Sequence, residues 1–129
     1  MLRILKCAFS LSFITTAVAF CGCGGPTTGT QIHGHVTYDG QPLEAGSISF
    51  EADASKQNSG LAAYAPIVGG EFITNPEFGV SEGAYVVRVM PPAVGSGQKS
   101  TSPLRDVFVT ETTITPETKS YDFEIPAGK

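Results

Sequence analysis

Apolar and polar positions alternate between residues 31 and 38. Ile32, Gly34, Val36 and Tyr38 fall on one side, and Gln31, His33, His35 and Thr37 on the other. Period two with one apolar side predicts a half-buried β-strand. Asp39-Gly40 follows, a pair that tolerates positive φ, so the chain is expected to turn there. Pro42 removes a backbone donor and Gly46 frees the chain again. A second alternating run spans 47–52, with Ile48, Phe50 and Ala52 opposite Ser47, Ser49 and Glu51. The connection exceeds a two-residue hairpin loop. Either the two strands pair directly or the loop arches between sheets.

The rest of the chain repeats this grammar. Residues 53–60 read as a polar loop, and 61–68 as a strand in which Pro66 marks an edge or a bulge. Gly69-Gly70 reads as a tight turn into a short strand at 71–74 around Phe72, which Asn75-Pro76 breaks. In 80–90, Gly83 ends a turn and Tyr85, Val87 and Val89 form an inward face. Residues 91–104 are Pro/Gly/Ser-rich, the longest irregular piece, and loops of this length are usually functional or disordered. Residues 105–110 form a strand with Val107 and Val109 on one face and Phe108 on the other. Residues 120–125 close the pattern with Tyr121, Phe123 and Ile125 inward. No segment after residue 23 has helical period. About seven short strands between turn signals predict an all-β fold, an antiparallel β-sandwich over 31–126.

The N-terminus is of another kind. Arg3 and Lys6 precede an uncharged run over 7–20, the basic start and short apolar segment of a secretory signal. The run is short for a transmembrane span. The segment Phe20-Cys21-Gly22-Cys23 resembles the lipobox of bacterial lipoproteins. That resemblance implies a signal peptide at 1–22 and cleavage after Gly22. It also implies acylation of Cys23 and, with Gly24 rather than Asp next, export to the outer membrane, facing periplasm or surface. Cys21 is the rival site, but Phe20 would then occupy a position where a small residue is expected. Cleavage before Cys23 leaves no free thiol and no disulfide in the mature chain, since the only other cysteines are Cys7 and Cys21. Residues 23–30 then form a Gly/Thr/Pro tether.

Removing the signal changes the charge. Six basic residues remain against twelve acidic ones, a net charge of −6. An acidic domain without a basic run excludes nucleic acid as a partner and leaves membrane attachment to the acyl chains.

Three stretches carry a family likeness. The run Gly34 to Leu43 follows the pattern G-x-V-x-Y-D-G-x-P-L, Gly69 to Phe72 follows Gly-Gly-x-Phe, and Gly83 to Val87 follows Gly-x-Tyr-x-Val. Together they resemble the carboxypeptidase regulatory-like domains, as found in small lipoproteins of planctomycete-type bacteria. The resemblance implies a transthyretin-like or Ig-like sandwich with no catalysis of its own. Its motif residues Gly34, Asp39, Gly40, Pro42, Gly83 and Tyr85 are turn and packing positions, with Tyr85 a candidate corner tyrosine.

Candidate chemistry is sparse. His33 and His35 share a strand face and offer two nitrogen ligands to Zn or Cu, with Glu44 or Glu51 as the nearest candidates for a third. Nucleophile-elbow and EF-hand spacings are absent. With no Trp, and with most Tyr and Phe at inward positions, the sequence offers little for stacking on sugars. No cofactor is expected. The sequence therefore predicts a non-enzymatic, envelope-anchored module contacting a protein or glycan. The alternative is a metal- or ligand-binding lipoprotein using His33 and His35 or the 91–104 loop.

Overall fold

The computed structural model of the protein describes residues 29–128. The expected signal peptide at 1–22, which includes Cys7 and Cys21, as well as Cys23 and the expected tether up to residue 28, lie outside the described residues. The described chain is all-β, with eight strands and two short 3-10 turns, Ala54–Lys56 and Pro76–Phe78. The strands are β1 (His33–Tyr38), β2 (Gln41–Pro42), β3 (Ala45–Ala52), β4 (Ala63–Val68), β5 (Glu71–Ile73), β6 (Gly83–Met90), β7 (Phe108–Ile114) and β8 (Phe123–Ile125). They join in one path, β2-β1-β5-β4-β3-β6-β7, with β8 beside β1, and the sheet curls as a half-barrel. The strand beyond the expected seven is the two-residue β2.

The first strand is the joint of the curl. Its start pairs with β5 (His33 with Ile73, His35 with Glu71) and its end with β2 (Tyr38 with Gln41). The opposite edge carries β8, in the only parallel pairing among the described strands. A purely antiparallel arrangement fails here because the chain returns to β1 by a crossover from β7, not by a hairpin.

Two turns act as expected. Asp39 and Gly40 have φ of 50° and 75°, closing a two-residue hairpin between β1 and β2. Gly69 and Gly70 have φ of 59° and 79° and close β4 onto β5. The runs at 31–38 and 47–52 do not pair directly: β3 pairs with β4 and β6, and β5 and β4 stand between it and β1 in the same sheet.

Pro66 lies in an interior strand, not at an edge. Val68 pairs with Glu71 next to the turn, so the next hydrogen-bonded pair on that side would be Pro66 with Ile73. Pro66 has no N–H to give, and the β4–β5 ladder ends after a single pair. From there β5 runs with β1, and a gap opens between β4 and the chain that follows β5.

One core fills the curl. Ile32, Val36, Ile48, Phe50, Tyr85, Val87 and Val89 are fully buried, as their alternation predicts. Phe50, Phe72 and Phe123 meet at ring-centroid distances of 5.8, 6.1 and 6.2 Å, joining β3, β5 and β8. The 91–104 loop contributes too: Ser102 and Leu104 are buried, and Leu104 packs in the core. In β7, Phe108 packs against the core and Ile114 is buried in it, while Val109 and, just before the strand, Val107 are half exposed. Thr30, which the sequence assigns to the tether, belongs to the folded part, because it exchanges both backbone hydrogen bonds with Val80.

Tyr85 is fully buried, and its hydroxyl bonds to backbone on two sides. Its hydroxyl donates to the Leu61 carbonyl at 2.8 Å and accepts from the Ser81 N–H at 3.0 Å. Tyr85→Phe strands both backbone groups and is expected to cost about 1–3 kcal/mol. Urea unfolding measures this, and an unchanged midpoint would remove these bonds from the account of stability.

Candidate functional site

Registers place alternate side chains of five strands on one outer face. His33 stands beside Ile73, His35 beside Glu71, Glu71 beside Val68, and Tyr64 beside Ser49. Arg88 follows Ser49 on the far side and forms an ion pair with Glu51. This is the face turned away from the core, and it mixes charged and polar side chains with large apolar ones. Tyr64, Val68, Ile73 and Phe78 are 59, 72, 59 and 66% exposed.

Two open hollows lie in it. The first, of about 500 Å³, is lined by His33, Gly34, His35, Val68, Glu71, Phe72 and Ile73. His35 sits between two carboxylates. Its Nδ1 is 3.1 Å from Asp122 Oδ1, and its Nε2 is 3.5 Å from Glu71 Oε1. The same Asp122 oxygen accepts the His35 backbone N–H at 3.0 Å, so a side chain takes the place of a ladder carbonyl between β1 and the approach to β8.

The sequence therefore places His33 and His35 correctly on one exposed face but misses the acidic neighbours of His35. Glu51 is occupied by Arg88, and the carboxylates that reach His35 come from β5 and from residue 122. Among the described residues no group of three or more His, Cys, Asp or Glu is placed to hold a metal ion.

Gly34 is needed for space. A Cβ there would stand 1.8 Å from the Tyr121 carbonyl oxygen. Gly83, at φ 128°, packs against Asn58, whose amide donates to the Ala84 carbonyl at 2.7 Å. Pro42 abuts Gly70, where a Cβ would meet it at 2.6 Å. These motif positions build the fold and present no reactive group.

The second hollow, of about 520 Å³, lies over the gap that Pro66 opens. Phe50 and Ala63 floor it, Ser49, Glu51, Ala62 and Asn75 line it, and Tyr64 and Phe78 stand on its rim. Phe78 is held there by the Pro76–Phe78 turn, whose cap Asn75 accepts the Glu77 N–H through Oδ1 at 2.9 Å.

No family model, curated protein or solved structure matches this chain.

A separate cluster ties the turn after β3 to the sheet edge. Lys56 pairs with Glu111 of β7 and lies 3.7 Å from Asp53. The Ser55 hydroxyl bonded to Asp53 holds that carboxyl below its usual range, and Glu111 pushes the Lys56 ammonium up. None of these residues lines either hollow.

Proposed function

We propose that the protein is a non-catalytic lipoprotein of the bacterial cell envelope, anchored in the outer membrane by acyl chains on Cys23, and that it works as an interaction module. On this reading its domain is a carboxypeptidase regulatory-like, transthyretin-like sandwich whose smaller layer is β2, the end of β1 and β8. Phe123 of β8 packing across the core against Phe50 of β3 supports that division. The Gly34 to Leu43 run supports the family, since it forms the β1–β2 hairpin and places Leu43 in the core.

The observation that carries the interaction role is the uncovered outer face. Tyr64, Val68, Ile73 and Phe78 are each more than half exposed, more so than the half-exposed Val94 and Val107, and they line the two hollows of this surface. Contiguous apolar side chains rimmed by polar ones mark contact surfaces. A tether from Cys23 to Gly29 reaches at most about 20 Å when extended, so the start of the domain would stand within that distance of the membrane. A partner there is an envelope protein or a glycan; a mature net charge of −6 argues against nucleic acid.

The anchor is tested by intact-mass measurement of protein extracted from membranes. The expected result is a chain that begins at an acylated Cys23, with Cys23→Ser left unacylated and lost from the washed membrane fraction. A membrane-bound chain retaining Met1 and no lipid overturns it. The contact role is tested by placing a photocrosslinking residue at Val68 in intact cells. Discrete crosslinked species that disappear with Ile73→Lys are expected, and a protein that crosslinks to nothing ends this reading.

A further inference from the structure

The second hollow has features that a general contact face does not require. Its origin is a break in the sheet. Even-numbered residues of β4 turn their backbone groups toward β5, as the Val68–Glu71 pair shows, while Ile67 and Ala65 pair with β3. The ladder toward β5 ends at that pair, so the Tyr64 N–H and C=O point into the gap without a strand partner. Unpaired backbone groups here face an open hollow where a ligand can take them.

The hollow's walls combine flat apolar and polar elements. Tyr64 and Phe78 offer two exposed rings from opposite sides, one on β4 and one on the Pro76–Phe78 turn. Between them stand the Ser49 hydroxyl and the Asn75 side chain, whose Oδ1 is engaged by Glu77 while its amide nitrogen remains available as a donor. A hollow of about 520 Å³ has room for a few pyranose rings. A pyranose presents an apolar C–H face to an aromatic ring and hydroxyls at its rim, the pattern that these walls complement. The charge narrows the class: the mature chain carries a net charge of −6, which disfavours an anionic polymer, and Glu51 on the lining is already paired with Arg88.

We infer that the hollow between β4 and the Pro76–Phe78 turn binds a neutral oligosaccharide, with sugar rings stacked on Tyr64 and Phe78 and hydroxyls bonded to Asn75, Ser49 and the free backbone of Tyr64. This rests on the interaction-module reading and names the ligand class for one part of the outer face. The two exposed rings lie fourteen residues apart in sequence, and only the end of the β4–β5 ladder brings them to one rim.

The test is isothermal titration of the membrane-extracted protein, in a detergent without sugar headgroups, with chitohexaose, cellohexaose and maltohexaose. Saturable binding of at least one is expected. Tyr64→Ala and Phe78→Ala should each weaken it by roughly two- to tenfold, the scale of one lost aromatic stacking contact. Val109→Ala, on the distant edge strand, should leave it unchanged. Both rim residues are exposed, so the variants keep the parent's thermal midpoint, which is measured alongside. Flat titrations with all three sugars overturn the inference, as does binding that both rim variants retain. Amide shifts at residues 49–51, 62–64 and 75–78 caused by sugar-free phosphatidylcholine vesicles but not by sugars would assign the rings to lipid contact instead. If the sugars fail while the Val68 crosslink persists, the contact face stands and the saccharide site falls; if both fail, the broader reading falls with it.

Discussion

Phe50→Ala is expected to remove about 3–5 kcal/mol, a large share of the roughly 5–15 kcal/mol that holds a domain of this size. Phe50 is fully buried at the centre of β3, and its ring meets Phe72 at 5.8 Å and Phe123 at 6.1 Å. Those two rings lie 6.2 Å apart on β5 and β8, so one truncation opens a void shared by three strands. Neighbours cannot all close on it. Ile48 is held to β4 and β6 by the ladder, and β8 is tied by a short parallel pairing. For a domain of about a hundred residues, the loss lowers Tm by more than about 12 °C. Thermal melts followed by circular dichroism check it. A loss under about 1 kcal/mol would mean that the three rings are not the centre of the core.

Gly34→Ala attacks the same core from the edge. The obstacle is space: Gly34 is not among the residues in the left-handed region, yet a Cβ would stand 1.8 Å from the Tyr121 carbonyl oxygen and 3.0 Å from the Phe72 ring. Tyr121 is fixed there because its N–H donates to the His33 carbonyl at 2.9 Å and Asp122 takes the His35 N–H. A methyl group must push residues 119–123 off β1, and with them Phe123 and Ile125. The expected cost is at least about 2 kcal/mol, borne mainly by β8. Hydrogen exchange gives the signature that separates this from general loosening. The Tyr121 and Asp39 amides, which bond to His33 and Ile125 across this pairing, should lose protection before those of β3 and β6. Uniform loss across all strands would count against a local detachment.

The two hollows differ in how far the sequence reveals them. The shared face of His33 and His35 follows from period two within one strand. Their carboxylate neighbours do not, because Glu71 reaches His35 through the β1–β5 register and Asp122 through the crossover to β8. The rim aromatics are harder still. Tyr64 alternates with buried Ala63 and Ala65, which are too small to announce an inward face, so its outward direction has little local signal. Phe78 follows a proline break where no periodicity applies.

By itself the sequence determines the strand faces and the turns. Ile48 and Phe50 in β3, Tyr85, Val87 and Val89 in β6, and Phe123 and Ile125 in β8 are buried as their alternation requires, and Asp39-Gly40 and Gly69-Gly70 turn as their tolerance of positive φ requires. These are local properties, set within a few residues by pleat geometry and backbone sterics. Tertiary structure alone decides which strands pair. It sends β3 to β4 and β6 instead of β1, turns Phe108 rather than Val109 toward the core, seats Leu104 from the long loop inside, and parts β4 from β5 at Pro66 so that Tyr64 and Phe78 share a rim. Each of these depends on register between distant segments, and register is settled by the best joint burial of all the apolar faces, which no single stretch contains.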